Sequence, residues 1–595
     1  MIYMSDNKKF FGVNDINWGH KWGFKDSGFV INSDKSVTFA GNRYPICGKR
    51  LTRFVPFVEE MLGVEFKIEP KVKEQTTKHI EPPKINEGFL KELSSTFNED
   101  RYTMEDNERI LHSHGQHSTD EVYKVLYGKL EHFTDLVFYV ESEQETIQLV
   151  EMAKKHDVCL IPYGGGTNVT NALRPPKEET RMVVTVDTRR MNRVESIDEE
   201  NLMVTVQSGI TGKDLEEALH KKGYTVGHEP DSYEFSTVGG WISTNAAGMK
   251  KHRYGNIEDI VQNVTMITPS GTINQIKPLT RSSIGIKPQN VLFGSEGNLG
   301  IITKATLKIH LLPESSSYES IVLSDWETGV LFMQNLFRSN MVPASSRLAD
   351  NLQIRLGQAL KEDKTGLAGL LDRFKQFVLF QIKGFDPEKI TVAVFKIEGS
   401  SSEVKNQKEN LKRLANKHGG VLAGESTGKS GYLATMVIAY IRELIFTQNI
   451  LGETMETAVP WSKINQVKEE ASKLVVELHK KHKLPGKPFF TSRISKIYHT
   501  GVCMYNTIAM CFDGVENPED VFTKIEHTMR ENFIKNGGSI SHHHGVGKLR
   551  KGFVSETISQ GSVEMIQGIK QKQDPNNIFG VNNNIVNDQV TSPSE

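Results

Sequence analysis

Two stretches of this chain hold groups whose types and spacing suit chemistry. The first is Pro162-Tyr163-Gly164-Gly165-Gly166-Thr167-Asn168-Val169, a glycine run placed directly after the apolar strand candidate Val158-Cys159-Leu160-Ile161. Three consecutive glycines remove every Cβ from one turn, so backbone N–H groups converge on an anion and approach it closely, which is how a diphosphate is held. Gly164, Gly166 and Val169 fail the G-x-G-x-x-G spacing and no helix start follows them, so a Rossmann site is disfavoured. The second stretch is Ser541-His542-His543-His544-Gly545-Val546-Gly547-Lys548. Imidazoles change charge near neutral pH and suit proton transfer or contact with an anion. On an extended segment His542 and His544 point to one side and His543 to the other, so at least one of the three is expected to be structural. No acidic or cysteine ligand stands at helical spacing from them, and no metal site is expected.

One further motif is a decoy. Ala423-Gly424-Glu425-Ser426-Thr427-Gly428-Lys429-Ser430 satisfies a relaxed P-loop pattern after the apolar pair Val421-Leu422. A nucleotide site needs a longer buried strand before the loop and a magnesium-binding acid on another strand, and neither is evident. The stretch reads as a polar, glycine-containing loop.

The elements that must position these groups follow from periodicity. Asp135 to Val140 is a strand candidate; Ser142 with Glu145 forms a capping box before a helix carrying Ile147, Val150 and Ala153 on one face, and the glycine run comes after the next strand. Met182 to Val186 and Leu202 to Val206 are further β-branched runs, and Thr211 with Asp214 opens a helix that stops at Gly223. Thr391 to Ile397 and Thr507 to Phe512 are strand candidates. Pro518 to Lys535 reads as a helix with proline in its first turn, Val521, Phe522, Ile525 and Met529 on one face, and Gly537 past its end. The alternation predicts an α+β or α/β layer from about 111 to 310. Residues 1 to about 110 are polar and proline-dotted, yet the Trp18 to Phe24 cluster is too aromatic for a disordered leader, so a small docking domain is expected there. Pro70 to Lys84 reads as an exposed linker.

Bulk composition excludes several classes. With 72 basic and 73 acidic residues in a chain of 595, nothing favours nucleic acid as a partner. Cys47, Cys159, Cys503 and Cys511 lack paired metal spacing and fit a reducing compartment without a disulfide framework. The longest apolar run, Gly431 to Ile441, is well short of the ~20 residues that span a bilayer, and no secretory signal is recognised.

Taken in order, the glycine run, Gly227-His228-Glu229-Pro230-Asp231-Ser232, Ser236-Thr237-Val238-Gly239-Gly240-Trp241, Tyr254-Gly255-Asn256-Ile257-Glu258-Asp259 and Gly294 to Ile302 resemble the flavin-binding half of the vanillyl-alcohol-oxidase-type flavoproteins. With Ser541 to Arg550 and Asp574-Pro575-Asn576-Asn577-Ile578-Phe579-Gly580 the resemblance, from about Trp22 to Gly580, is to the alkyldihydroxyacetonephosphate synthases, which make the ether bond of ether lipids. The resemblance implies an α+β fold: a two-subdomain PCMH-type FAD-binding domain at 111–310, a cap with an antiparallel sheet and helices at 311–549, a C-terminal segment at 550–595 that completes the FAD domain, and the small N-terminal domain at 1–110.

It also implies roles. FAD would be held by Pro162, Tyr163, Gly164, Gly165, Gly166, Thr167 and Asn168; by Asp231, Ser232, Tyr233, Glu234, Phe235, Ser236 and Thr237; by Thr244, Asn245, Ala246 and Ala247; and by Glu296, Gly297, Asn298, Leu299, Gly300, Ile301 and Ile302. Thr167 stands where relatives that attach the cofactor through this loop carry histidine, so non-covalent FAD is expected. The family exchanges the fatty acid of acyl-dihydroxyacetone phosphate for a fatty alcohol with no net redox change, through a bond between flavin N5 and the carbon that bore the acyloxy group. Tyr505 matches the residue that moves the proton beside the ketone; a phenol of pKa ~10 needs help to ionise, which His542, His543 and His544 are placed to supply. Arg442 matches the substrate arginine and Arg347 another functional one, with Arg493 and Lys548 as further candidates for oxyanion contact. An apolar tunnel for the long chains is sought in Leu433 to Phe446, most of which reads as plain core. A homodimer, peripheral membrane association and a peroxisomal location are implied, although Thr591-Ser592-Pro593-Ser594-Glu595 is not a Ser-Lys-Leu type address. The rivals are an FAD-dependent D-2-hydroxyacid dehydrogenase of the same fold, which usually carries an acid at the place of His543, and a non-catalytic flavoprotein scaffold.

Overall fold

The strand that delivers the glycine run belongs to a small sheet whose three parallel strands are almost wholly buried. The computed structural model describes residues 22–74, 80–277, 280–362, 380–381, 383–433 and 438–586. Leu136–Tyr139 and Cys159–Tyr163 both lie parallel to Val183–Asp187, with Tyr102–Thr103 antiparallel at the edge. Their near-continuous apolar runs suit a sheet covered on both faces. The crossover helix Glu143–His156 starts where the Ser142 side chain accepts from Glu145 N–H, and it buries Leu149, Val150, Met152 and Ala153. Glu145 turns its own carboxylate to Glu141 N–H, so only half of the predicted capping box forms.

A second, five-stranded antiparallel sheet runs in the order Gly271–Ile273, Val261–Thr268, Ile301–Lys308, Met203–Gln207, Val194–Asp198. The chain returns to this half at its far end. Asp574 accepts from Ile578 N–H and Phe579 N–H and from Lys570 Nζ, and Leu160 N–H donates to the Ile578 carbonyl. Ile578 and Phe579 are thereby buried under the parallel sheet, each burial contributing about 1.5–3 kcal/mol.

The third sheet has seven antiparallel strands in the order Val421–Leu422, Ser315–Leu323, Thr391–Gly399, Ser345–Ala349, Phe489–Ile497, Gly501–Cys511, Ile450–Pro460. One face packs into the largest core under the helices Trp326–Arg338, Ser401–Lys417, Ile464–Lys481 and Pro518–Lys535. Alternation assigns Met504, Ile508 and Met510 to that core and turns Cys503, Tyr505 and Thr507 the other way. The P-loop-like stretch lies at this sheet's edge: Val421–Leu422 is a two-residue strand, and Glu425–Leu433 is helix.

The N-terminal residues dock on the cap. Gly28–Ile31, Val37–Ala40 and Arg50–Leu51 form a three-stranded sheet, and the helix Phe54–Leu62 packs Phe54, Val58 and Leu62 against Ile441, Leu444, Ile450 and Phe489. Of the aromatic cluster, Trp22 and Phe24 pack with Phe39, Tyr44 and Tyr440, while Trp18 lies outside the described residues, as does 75–79 of the expected linker. Among the described residues no helix is long and apolar enough to cross a membrane.

Candidate active site

The glycine run and the free face of the seven-stranded sheet meet across one cavity of about 420 Å³. It is lined by Pro162, Tyr163, Gly164, Gly165, Gly166, Thr167 and Asn168, by Asp231 to Thr237, and by Thr244, Ala246, Glu296, Gly297, Gly300, Ile301 and Ile302. Asn245, Ala247, Asn298 and Leu299, also expected at the cofactor, are not on its lining. Leu299 belongs to the core of the five-stranded sheet, and Asn298 is occupied with Ser295, Lys570 and Asn583. Glu296 touches the cavity, yet its carboxylate accepts from Val546 N–H and Gly547 N–H, so it clamps the turn after the histidines.

Absence of side chains in the glycine run serves close packing as well as an anion. A Cβ on Gly165 would lie 2.1 Å from the Phe235 carbonyl oxygen, and one on Gly164 2.5 Å from Thr237 Oγ1; Gly166 sits at φ +69°. Gly165→Ala therefore forces the two cofactor-facing loops apart. The expected outcome is a fall in bound flavin of about ten-fold or more, equivalent to about 1.4 kcal/mol, read from the 450-to-280 nm absorbance ratio of the purified protein.

At the sheet side, Tyr505 stands in a cross-strand row with Glu456 on one neighbour and Arg493 on the other. Its hydroxyl lies 2.6 Å from His543 Nε2, 3.3 Å from His544 Nε2 and 3.3 Å from Asp231 Oδ2. The Arg493 guanidinium lies 4.6 Å and Lys496 Nζ 5.7 Å from the ring centre. Strict alternation puts Arg493 and Lys496 on opposite faces; a bulge between Ile494 and Lys496 sets Lys496 opposite Cys503 and brings both cations to the phenol's side. Lys496 was not picked out from the sequence, because nothing local marks the bulge.

The three histidines are not a strand. They bend around the buried carboxylate of Glu456, which accepts from the backbone N–H groups of His542, His543 and His544 and from Ser541 Oγ. The expected alternation is thereby corrected: His543 and His544 both reach Tyr505, while His542 Nε2 turns to the Tyr498 hydroxyl at 2.6 Å. Burial would raise the Glu456 pKa, but His544, Arg550 and Arg530 outweigh it and hold the group well below the usual carboxylate range.

Of the help expected from the histidines, the structure supplies hydrogen bonding and not positive charge. Burial foremost, then neighbouring cations, lowers His542 to about 3 and His543 far below its usual value; burial lowers His544 to about 4, against the pull of Glu456. All three are neutral near pH 7. Burial, with the Asp231 charge next, pushes the Tyr505 phenol well above its ordinary value. Positive charge comes from the sheet: Lys496, Arg347 and Arg493 together overcome burial and hold the Asp231 carboxyl below its ordinary value, although burial lowers Lys496 and Arg493 themselves. Three cations against one carboxylate leave a site fitted to an anion.

The remaining candidates divide. Arg442 lines the cavity and donates to the carbonyls of Gln116 and His117 at 2.9 and 2.7 Å, with its Nε unpartnered. His117, missed in the sequence, lines the cavity with Nε2 2.9 Å from Ser232 Oγ. Arg347 stands behind Asp231, against Met249 and over the Tyr432 ring. Lys548 is directed elsewhere, donating to the Ala172 carbonyl and Asn583 Oδ1. Potential metal donors do converge: Cys503 with His542 and His543, and Glu456 with His543 and His544, within 4.8 Å in each group. Lys496 and Arg550 beside them make that ground positive, a poor setting for a divalent cation.

The far wall of the cavity is apolar. Phe54, Phe57, Val58 and Met61 of the N-terminal helix face Leu356, Ile438, Ile441, Ile445, Ile450 and Phe489. Of the helix expected to line a tunnel, Ile438, Ile441 and Ile445 do so, Leu444 and Phe446 are core, and Val437 lies outside the described residues. The contribution of residues 54–62 went unread, although a helix apolar on more than one face signals two covered sides.

Comparison with known proteins decides the family. The FAD binding domain model matches residues 134–277, and the model for the C-terminal domain of FAD linked oxidases matches 312–582. An alkyldihydroxyacetonephosphate synthase of Caenorhabditis elegans is 37% identical over 97% of this chain and 96% of its own. The chain belongs to the alkyldihydroxyacetonephosphate synthase family. A synthase of Dictyostelium discoideum is 31% identical over 84% of this chain and 81% of its own. A solved alkyldihydroxyacetonephosphate synthase superposes with a TM-score of 0.83 over 95% of this chain and 98% of that one, at 27% identity.

As a member of this family the protein takes FAD. The residues fit that cofactor: the loop Gly164 to Gly166 lines the cavity without side chains, the buried Asn168 amide nitrogen has no hydrogen-bond partner, and one cavity runs from this loop to Tyr505.

Proposed function

We propose that this protein is an alkyldihydroxyacetonephosphate synthase, exchanging the acyl chain of acyl-dihydroxyacetone phosphate for a fatty alcohol. One observation carries the reading: the Tyr505 hydroxyl sits among His543, His544 and Asp231, beside Arg493, in a cavity with a cationic end and an apolar wall. Arg493, which lines the cavity with Lys496 and Arg347 behind it, suits the phosphate, and the apolar wall suits the alkyl and acyl chains. Tyr505 moves the proton on the carbon beside the ketone. Because burial keeps the phenol neutral, it must pass its own hydrogen to His543 or Asp231 as it takes the new one. The flavin, when bound by the loops that line the cavity, would supply an electron-accepting ring system for the exchange. We extend the reading to non-covalent FAD, a homodimer, peripheral attachment to a membrane and residence in the peroxisome, all carried by the family resemblance.

The test is the visible spectrum of the purified protein in air, before and after acyl-dihydroxyacetone phosphate is added without alcohol. Flavin bleaching that persists without peroxide, then reverses with formation of ether lipid when fatty alcohol is supplied, is the expected result. Unchanged absorbance, or bleaching that consumes oxygen and yields peroxide, would instead support the D-2-hydroxyacid dehydrogenase reading or another redox activity.

A further inference from the structure

This inference rests on the exchange reaction just proposed. In that reaction the bond from the substrate carbon to the acyloxy oxygen breaks, and the carboxylate leaves with the electron pair. The alcohol oxygen bonds to the same carbon and its O–H bond breaks. No electrons are gained or lost overall. A fatty acid with a pKa of roughly 4 to 5, like that of other carboxyls, is ionised at neutral pH, so each turnover releases one proton at a buried phenol. That proton needs a way out.

A continuous chain of hydrogen-bonding groups leads from the buried phenol to the surface. Tyr505 Oη lies 2.6 Å from His543 Nε2, His543 Nδ1 lies 2.9 Å from His542 Nδ1, and His542 Nε2 lies 2.6 Å from Tyr498 Oη. One arrangement of hydrogens satisfies every link. Tyr505 donates to His543 Nε2, the Nδ1–H of His543 donates to His542, and the Nε2–H of His542 donates to Tyr498. Tyr498 keeps its own hydrogen, and its hydroxyl pairs onward with Asn256, next to the exposed Glu258 and Asp259. A proton entering at Tyr505 then leaves at Tyr498 with each hydrogen shifted by one bond, and both imidazoles stay neutral throughout.

Tyr498 stands at the tip of the hairpin joining Phe489–Ile497 to Gly501–Cys511, half-buried and followed by the exposed His499 and Thr500. Of the other branches from the phenol, the Asp231 branch opens on the cavity and the His544 branch ends inside the protein. His544 Nδ1 is buried with no hydrogen-bond partner, 3.7 Å from Glu456, and Asp231 is surrounded by Lys496, Arg347 and Arg493. Lys251, 3.4 Å from the centre of the Tyr498 ring, and Lys496 discourage a proton from resting on the wire. We propose that Tyr505, His543, His542 and Tyr498 form a proton wire that carries the proton released in each turnover to the surface. Tyr498 acts through the two histidines and does not touch substrate.

The experiment compares the FAD-loaded wild-type enzyme with Tyr498→Phe, which removes only the outer hydroxyl. An indicator dye first reads protons released by the wild type. One proton per ether formed is expected, and absence of ether formation would overturn the exchange reading itself. For Tyr498→Phe the flavin content, melting temperature and KM values should match wild type. Its kcat should fall about ten-fold. The solvent deuterium isotope effect on kcat should rise, and millimolar imidazole in the buffer should restore part of the lost rate. Tyr498→His, which again offers a donor and an acceptor, should recover more activity than the phenylalanine variant. An unchanged kcat, or a loss that is neither enlarged in deuterium oxide nor relieved by imidazole or histidine, would overturn the wire while leaving the exchange reading intact.

Discussion

Tyr505→Phe is expected to lower turnover by about 10²–10⁴-fold while the protein keeps its flavin and folds normally. The substitution deletes one oxygen. The ring stays in place beside Arg493, so packing and the cation–π contact persist. What is lost is the atom that lies within 3.3 Å of His543, His544 and Asp231 together. The groups left behind face a cavity, so the stability cost is small beside the catalytic one. The pH dependence should carry the same signature. Burial lowers His544 to about 4, so the wild-type kcat/KM should decline near pH 4, where imidazoles of the site begin to charge, and not near the ordinary 6.5. Flavin absorbance, melting temperature and kcat/KM from pH 4 to 9 make the check. Undiminished turnover in the variant removes Tyr505 from the chemistry, and loss of flavin along with activity makes it a structural residue.

Glu456→Gln should be the most damaging change outside the reacting groups. The carboxylate is fully buried and gathers three consecutive backbone N–H groups and the Ser541 hydroxyl, with Arg550 3.6 Å away. An amide of the same shape points an NH₂ at donors and leaves Arg550 without its counter-charge. Removing one member of a buried charged pair costs about 3–5 kcal/mol. The melting temperature should therefore drop, and turnover should drop further than stability alone requires, since the bend that presents His543 and His544 loses its centre. Glu456→Asp, which keeps the charge, should recover part of both. The sign with pH follows from the lowered pKa: the contribution of Glu456 is complete above the unfolded value of ~4.3 and disappears as pH falls toward the folded one, so the gap in stability between wild type and Glu456→Gln should close in acid. An unchanged melting temperature and turnover in Glu456→Gln would show that the bend is held by something else.

Much of this molecule is legible along the chain because the signals are short-range. Glycine at three successive positions, a serine cap at 142, a proline opening the helix Pro518–Lys535 and apolar alternation each act within a few residues, and each corresponds to an observed element. The family motifs likewise pick out Tyr505, the histidines and the loops that line the cavity. Legibility ends where a group's neighbours come from other elements. His542, His543 and His544 read as an alternating strand, and only the Glu456 carboxylate, brought from a distant strand, bends them so that two face the phenol. Their neutral state is not legible along the chain for the same reason, since burial is a property of the assembled site.

The sequence by itself therefore determined the order of the glycine motifs, the family and the residue types that meet at the cavity, because turns, caps and periodicity are set by local sterics and local hydrogen bonds. Tertiary structure alone decided which cations reach Tyr505, which histidines do, and that the helix Phe54–Leu62 closes the apolar wall. Those outcomes depend on one bulge before Lys496, one buried carboxylate and one docking face. Each is settled by strand pairing and packing between segments far apart in the chain, where a shift of a single residue in register turns a side chain to the opposite face.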